Sequence, residues 1–475
     1  MKLDEWIESN REGLIRISDS IWSYAELGLL EEKSSKLLAD TLEDAEFKVK
    51  RGVAGMSTAF VASYGTKSPI IGILGEYDAL PRLSQVADST KKPVEEGAPG
   101  HGCGHNLFGT AALAACLVVK EAIKADEVQG TIRFYGCPAE EKVNAKGWMI
   151  KAGLFNDVDI SLTWHPGDMN AITAYNYQAM YSVMFRFYGR AAHAADDPFS
   201  GRSALDAVEL MNVGCNYLRE HIIPDARIHY VITNGGEAPN IVPAEAAVWY
   251  YIRAPYINQV KEIYPRIVKV AKGAALMTET EIKIEFLDGT AHPLPNITLE
   301  ELLFEKMKQV GPPSFDEEDQ KSAHEFRKTF SSGYFENLLA KMPQEVQKDV
   351  ERLKDEALCN VILPIFGRGK TMGGSTDVAD VSWVTPLAQF SSACYALGTS
   401  IHSWQSTAQV GMSIGHKGML HAAKILALST IELMQTPELV EKARKEFEEK
   451  IKKTPYEGSM PDDVKQQPIE YFKKL

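Results

Sequence analysis

No stretch of this 475-residue chain holds the roughly 18–20 consecutive apolar residues that a membrane-spanning helix needs. The longest apolar run, Ala111 to Val119, suits a buried helix instead. The opening Met1-Lys2-Leu3-Asp4-Glu5-Trp6 lacks the apolar core of a secretion signal. Positive charge is also in short supply: 51 Lys and Arg stand against 64 Asp and Glu, a net charge of −13. That balance argues against nucleic acid as a partner, since phosphate binding draws on clustered cations. Six cysteines (Cys103, Cys116, Cys137, Cys215, Cys359 and Cys394) are scattered without the density of a disulfide scaffold. Reduced thiols, a cytoplasmic location and no membrane partner are the expectation. Internal repeats and low-complexity segments are missing too, which excludes solenoids and tails. What remains is a folded chain, 45% apolar and long enough for two domains.

The first part alternates strand and helix texture. Residues 3–50 read as amphipathic helices, with Leu14, Ile15, Ile17, Ile21 and Trp22 on one face. Pro69 to Leu74 is a β-branched run that ends at Glu76-Tyr77-Asp78. Thr131 to Tyr135 leads to Glu140-Glu141, and Val158 to Trp164 leads to His165. Helices fit Leu107 to Ala122 and Lys146 to Ala152. An α/β fold with a mixed sheet is therefore expected, with ligands beyond the carboxyl ends of its strands. From about 178 the order changes to β-α-β-β-α-β, that of a ferredoxin-like α+β unit. The expected division is a catalytic domain in two parts, 1–177 and 291–475, interrupted by an inserted domain, 178–290. Residues 297–360 mix both charges and read as a solvated helical excursion. Lys417 to Met434 is a long helix.

The chemistry concentrates at Gly100-His101-Gly102-Cys103-Gly104-His105-Asn106. Cys103 and His105, two apart among glycines, can converge on one ion because glycine lets the backbone turn sharply. Glu140, Glu141 and His165 add carboxylate and imidazole donors. Paired carboxylates beside a cation can divide the work, one ligating and one accepting a proton. This is a kit for metal-assisted hydrolysis. For the last ligand, His402 and His416 are both candidates. Two rival readings are a nucleophilic Cys103 and a binding protein that retains the site. The crowd of carboxylates and imidazoles around Cys103 weighs against the first. The spare carboxylate, which a binder does not need, weighs against the second.

The motifs GHGCGHNLFGTAALAA (100–115), GCPAEE (136–141), TWHPGDMN (163–170), GRAAHAA (189–195), GRSALDAVELMNVGCNYLREH (201–221), APNIVPAEA (238–246) and GTSIHSWQ (398–405), in this order, resemble the M20 metallopeptidase family and its amidohydrolase branch. The resemblance spans nearly the whole chain. It implies a catalytic domain interrupted by a lid or dimerisation domain, and a site for two divalent ions, zinc or manganese. It implies metal ligands Cys103, His105, Glu141, His165 and His402, with Glu140 as general base and Asp78 orienting a ligand histidine. His193 would polarise the substrate carbonyl across a dimer, and Asn240 and Arg253 would hold the substrate carboxylate. The implied reaction is hydrolysis of an N-acyl or N-aroyl amino acid with a free carboxylate, p-aminobenzoyl-glutamate above others, or else of a dipeptide. The implied assembly is a homodimer or a heteromer with a related subunit. Two departures stand out. Glu76 occupies a place where many relatives carry aspartate, which leaves direct metal contact by that residue open. Lys142-Val143-Asn144 replaces the small residues that commonly follow the paired glutamates.

Overall fold

The computed structural model describes residues 3–461 and 464. Its strands, in chain order, are β1 (Lys48–Arg51), β2 (Phe60–Gly65), β3 (Ile70–Glu76), β4 (Thr131–Cys137), β5 (Ile160–Gly167), β6 (Asn176–Tyr177), β7 (Ala179–Tyr188), β8 (Arg227–Asn234), β9 (Glu245–Ala254), β10 (Glu281–Thr290), β11 (Thr371–Met372) and β12 (Leu387–Ala393). The chain forms two compact units. One holds the chain up to Tyr175, Leu294–Lys370 and Val381–Tyr456. The other holds Asn176–Pro293, Thr371–Asp380 and the chain from Glu457.

The first unit is built on a six-stranded mixed sheet in the order β1-β2-β4-β3-β5-β12. β4, β3, β5 and β12 run parallel, so their carboxyl ends share one edge. Parallel strands are covered on both faces and read as continuous apolar runs; Ile71, Ile73 and Leu74 of β3 are fully buried. The helix His105–Lys124 packs against β3 and against the helices Leu3–Tyr24 and Ser413–Gln435. It is long and apolar enough to cross a membrane, but 83% of its most apolar window is buried inside the fold. A helix apolar all round is a core helix in such a setting.

Two expectations need correction. Residues 48–51 are not helical: β1 and β2 form an antiparallel pair at the sheet edge, and pairing with neighbours outweighs weak local propensity. The 297–360 region is helical but not a solvated excursion. Leu299, Leu302, Leu303 and Met307 of the helix Ile297–Val310 are buried in the main core. Phe335, Val346 and Val350 gather in a second cluster and Ala323 and Phe326 in a third. Most charges there lie on the outer faces of helices whose inner faces are apolar, while Glu300 and Asp319 are buried and paired with Arg368 and Lys417.

The second unit is a four-stranded antiparallel sheet, β10-β7-β9-β8. The helices Ala204–Leu218 and Ile257–Thr278 pack on one face of it. β6 pairs in parallel with β11. That pairing brings Thr371–Asp380 into this unit, from far along the sequence.

A candidate two-metal site at the sheet edge

Four strand ends converge. β3 delivers Glu76 and, two residues on, Asp78; β4 leads into the turn bearing Glu140 and Glu141; β5 carries His165; β12 runs out to the loop holding His402. Gly104, at φ +78°, lets the chain turn into the helix His105–Lys124 and sets Cys103 and His105 at its amino end. A β-carbon at Gly104 would lie 2.7 Å from the Tyr395 hydroxyl. His402 also adopts a left-handed conformation, φ +58°. Its N–H donates to the Gly102 carbonyl at 2.9 Å, tying the last loop to the glycine-rich turn. A non-glycine residue held at positive φ stores about 1–3 kcal/mol of strain, and such positions cluster at functional sites.

Two sets of donor atoms lie within metal-ligand reach of one another: Cys103, His105 and His165, and Cys103, Glu141 and His402. Cys103 belongs to both. Its Sγ is 3.4 Å from Nε2 of His165, and Nε2 of His402 is 3.1 Å from Oε1 of Glu141. The ring tautomers agree with ligation. Nδ1 of His105 lies 2.8 Å from the Asp78 carboxylate, and Nδ1 of His165 lies 2.8 Å from the Pro166 carbonyl. Each Nδ1 faces an acceptor, so Nε2 is the nitrogen that each ring, when neutral, would present to an ion. Nε2 of His105 is buried without a hydrogen-bond partner. An orphaned buried nitrogen beside a thiol, an imidazole and carboxylates is the donor chemistry of zinc or manganese, so these residues fit such an ion.

The electrostatics show how crowded the site is. Burial, reinforced by the Glu141 carboxylate, pushes the Cys103 thiol well above its ordinary range. A bound cation would reverse this and favour the thiolate. Burial would raise Asp78, but His105 overcomes that and holds its carboxyl low. Glu141 is likewise raised by burial and brought back down by its hydrogen bond with His402. Burial and the His105 charge hold His165 below its usual value, which favours the neutral ligand form.

Glu76 also lies beside these donors. It joins His105 and Glu140 in a third group within ligand distance. Its Oε2 lies 3.2 Å from His105 Nε2. Its Oε1 is 2.6 Å from Nζ of Lys146, and both side chains are almost fully buried. Removing one partner of such a buried pair typically costs about 3–5 kcal/mol. No signal in the sequence marked Lys146, which sits in a short helix, Ala145–Lys151, among apolar residues. Glu31, a buried acid behind the Glu140 turn, was also missed. His416 stands apart from the ligand groups: its Nε2 is 2.7 Å from Asp19.

His193, Asn240 and Arg253 lie in the second unit. His193 and Ile241 form an antiparallel bridge, and Ala194 N–H donates to the Asn240 carbonyl at 3.0 Å. His193 and Asn240 are both exposed. Nδ1 of His193 accepts from the N–H groups of Ala195 (3.3 Å) and Asp196 (3.0 Å). The neutral ring therefore carries its proton on Nε2. Arg253, on β9, is half-buried. It donates to Ser375 Oγ at 2.7 Å, and its guanidinium lies 5.5 Å from the Tyr251 ring centre. Ser375 Oγ in turn donates to the Gln178 carbonyl at 2.6 Å.

A model of peptidase family M20/M25/M40 matches residues 72–333. The chain belongs to this family. It is 43% identical over 477 residues to a p-aminobenzoyl-glutamate hydrolase subunit from Escherichia coli K12, covering 98% of each chain. It is 29% identical to the Xaa-Arg dipeptidase of Mus musculus, covering 94% of this chain and 91% of that one. Among solved structures, its fold is similar to that of a dinuclear metal-binding M20 peptidase of Bacillus subtilis. The TM-score is 0.56 at 14% identity, with 90% of this chain and 99% of that chain covered. The M20 membership makes this an enzyme of metal-dependent amide hydrolysis.

Proposed function

We propose that this M20 enzyme hydrolyses p-aminobenzoyl-glutamate to p-aminobenzoate and glutamate, as a member of the class acting on N-acyl and N-aroyl amino acids. The observation that carries the reading is the double membership of Cys103. One sulfur shared by two ligand sets, with Glu140 next to a ligand of the second, would hold two ions and leave a separate base. The relative of 43% identity over nearly full length supports the substrate.

When bound, two zinc or manganese ions would polarise the scissile carbonyl and make water a better nucleophile at neutral pH. Cys103, His105 and His165 would hold one, and Cys103, Glu141 and His402 the other. Asp78 keeps His105 in the ligating tautomer. Glu140 takes a proton from the attacking water as the new C–O bond forms, then gives it to the amine nitrogen as the C–N bond breaks. Nε2–H of His193, reaching across a dimer from the other copy, donates a hydrogen bond to the carbonyl oxygen as charge builds there. Arg253, whose planar fork suits a carboxylate, and Asn240 hold the substrate carboxylate. The 178–290 segment serves as the lid or dimerisation domain.

The partner we assign is a second copy or a related subunit. β8 is an edge strand, and its Tyr230, Val231 and Ile232 are 38–54% exposed. Tyr217 on the neighbouring helix is 74% exposed. An uncovered apolar edge is a surface for adding strands. Six free thiols support a reducing compartment such as the cytoplasm. The likeness to an Xaa-Arg dipeptidase favours a second reading, dipeptide hydrolysis by the same residues.

The test is release of p-aminobenzoate by metal-stripped protein with zinc or manganese restored. Metal-dependent turnover supports the reading. Turnover of dipeptides but not of p-aminobenzoyl-glutamate moves the enzyme to the second reading.

A further inference from the structure

The helix Glu32–Asp44 is capped from outside its own N-terminal residue. Glu31 stands at the N-cap position but makes no cap hydrogen bond. Glu26 takes that role: its carboxylate accepts from the N–H groups of Lys33 at 3.0 Å and Ser34 at 2.9 Å. Glu31 is thereby free to turn inward. Its side chain is fully buried, and its Oε1 accepts the N–H of Ala139 at 2.7 Å, across 108 residues of sequence.

Ala139 is the residue immediately before Glu140-Glu141, and it is left-handed, φ +57°. A residue with a β-carbon pays roughly 1–2 kcal/mol for that conformation and holds it only when its surroundings enforce it. The surroundings here come from one segment. Besides the Glu31 bond, a β-carbon on Gly28 would lie 2.9 Å from Ala139 Cα and 3.1 Å from Lys142 Cβ, so the backbone at 28 presses directly on the turn. At the other end of the turn, Asp78 accepts the N–H of Glu141 at 2.9 Å. Two buried carboxyl groups thus grip the turn, one on each side of Glu140. Burial and the Asp78 charge raise Glu31 to about 8. Near neutral pH it is the uncharged acid, so the two do not repel one another.

We propose that Glu31 is a positioning residue for the Glu140–Glu141 pair: by holding Ala139 in its left-handed form it fixes where both carboxylates leave the turn. This rests on the roles proposed above for Glu140 and Glu141. It touches neither the substrate nor the reacting atoms. It needs an acceptor at Oε1, not a charge. Glutamine supplies that acceptor in nearly the same shape, and alanine does not.

The experiment compares wild type, Glu31→Gln and Glu31→Ala in zinc affinity, by competition with a chromophoric chelator, and in kcat and KM for p-aminobenzoyl-glutamate. Glu31→Ala is expected to lose about 10–100-fold in zinc affinity and in kcat, as for other residues that orient metal ligands. KM should stay within about threefold, and Glu31→Gln should recover most of both losses. Wild-type zinc affinity and kcat in Glu31→Ala would overturn the proposal, as would equal losses in Glu31→Gln and Glu31→Ala. If wild type binds zinc but turns over nothing offered, the function reading fails on its own, and the zinc affinities of the two variants still decide this inference. If Glu31→Ala does not fold, Gly28→Ala displaces the same turn from outside. The proposal then requires the 10–100-fold loss in that variant and falls if Gly28→Ala equals wild type.

Discussion

The Sγ of Cys103 lies 3.4 Å from Nε2 of His165, and the same sulfur is within ligand reach of Glu141 and His402. A residue shared between two sets differs from one that serves a single set. Replacing Cys103 by Ala should lower the bound metal by more than one ion per chain, whereas His402→Ala should remove about one. His416→Ala, whose imidazole is paired with Asp19, should leave metal content unchanged. Elemental analysis of the purified variants checks all three.

Glu140 is separable from metal binding. Glu140→Gln keeps the shape and removes the base, so kcat should fall about 10²–10⁴-fold with metal content intact and KM little changed. Loss of metal together with activity would reassign Glu140 as a ligand, an outcome its place beside Glu76 and His105 makes worth testing.

In the proposed roles Asp78 would act on a bound metal through His105, whose Nδ1 lies 2.8 Å from its carboxylate. Asp78→Asn keeps a hydrogen-bonding side chain but loses the charge that strengthens the imidazole as a ligand. Metal affinity should drop about 10–100-fold, measured by competition with a chelator of known strength.

Arg253 is held in place by Ser375 and Tyr251 before any substrate arrives. Arg253→Lys should raise KM for p-aminobenzoyl-glutamate at least tenfold, because an ammonium cannot make the paired bonds of a guanidinium. The same variant should treat the corresponding glutamate diamide as wild type does. An equal effect on both substrates would mean that Arg253 supports the fold and not the carboxylate.

His421 predicts an acid limit to stability. Its ring is buried between Ser392 Oγ and the Gly311 carbonyl, both at 2.7 Å. Burial pushes it down to about 4. The folded state therefore keeps it neutral while the unfolded chain protonates it near its ordinary value of about 6.5. The unfolded state binds the extra proton, so stability is intact above pH 6.5 and is lost as pH falls toward 4. The His421 contribution to that loss is on the order of 3 kcal/mol. Urea unfolding at pH 7.5 and 4.5 measures the total, to which His101 and His292, also pushed down to about 4 by burial, contribute, and NMR of the assigned His421 ring should find it neutral at pH 5.

Much of this arrangement is local and was legible in the residues. Apolar runs ending in Glu76, in the Glu140 turn and in His165 are strands because of what they contain, and ligands at strand ends follow from the parallel order. The glycines flanking Cys103 announce a turn by themselves. The β-α-β-β-α-β succession of 178–290 is likewise a matter of periodicity along the chain.

Other features arise only when distant segments meet. The choice of His402 over His416 depends on the Gly102 carbonyl, some 300 residues earlier in the chain, which anchors the His402 loop. The burial of Lys146 against Glu76, the pairing of β6 with β11 and the reach of Glu31 to Ala139 leave no periodic trace, because a hydrogen bond or ion pair fixes two positions and not a pattern. The sequence by itself determined the donor types, the strand ends that carry them and the family. Tertiary structure decided which histidine completes the second set, that one sulfur serves both sets, and which buried acids hold the turn, since these depend on through-space distances of a few ångströms.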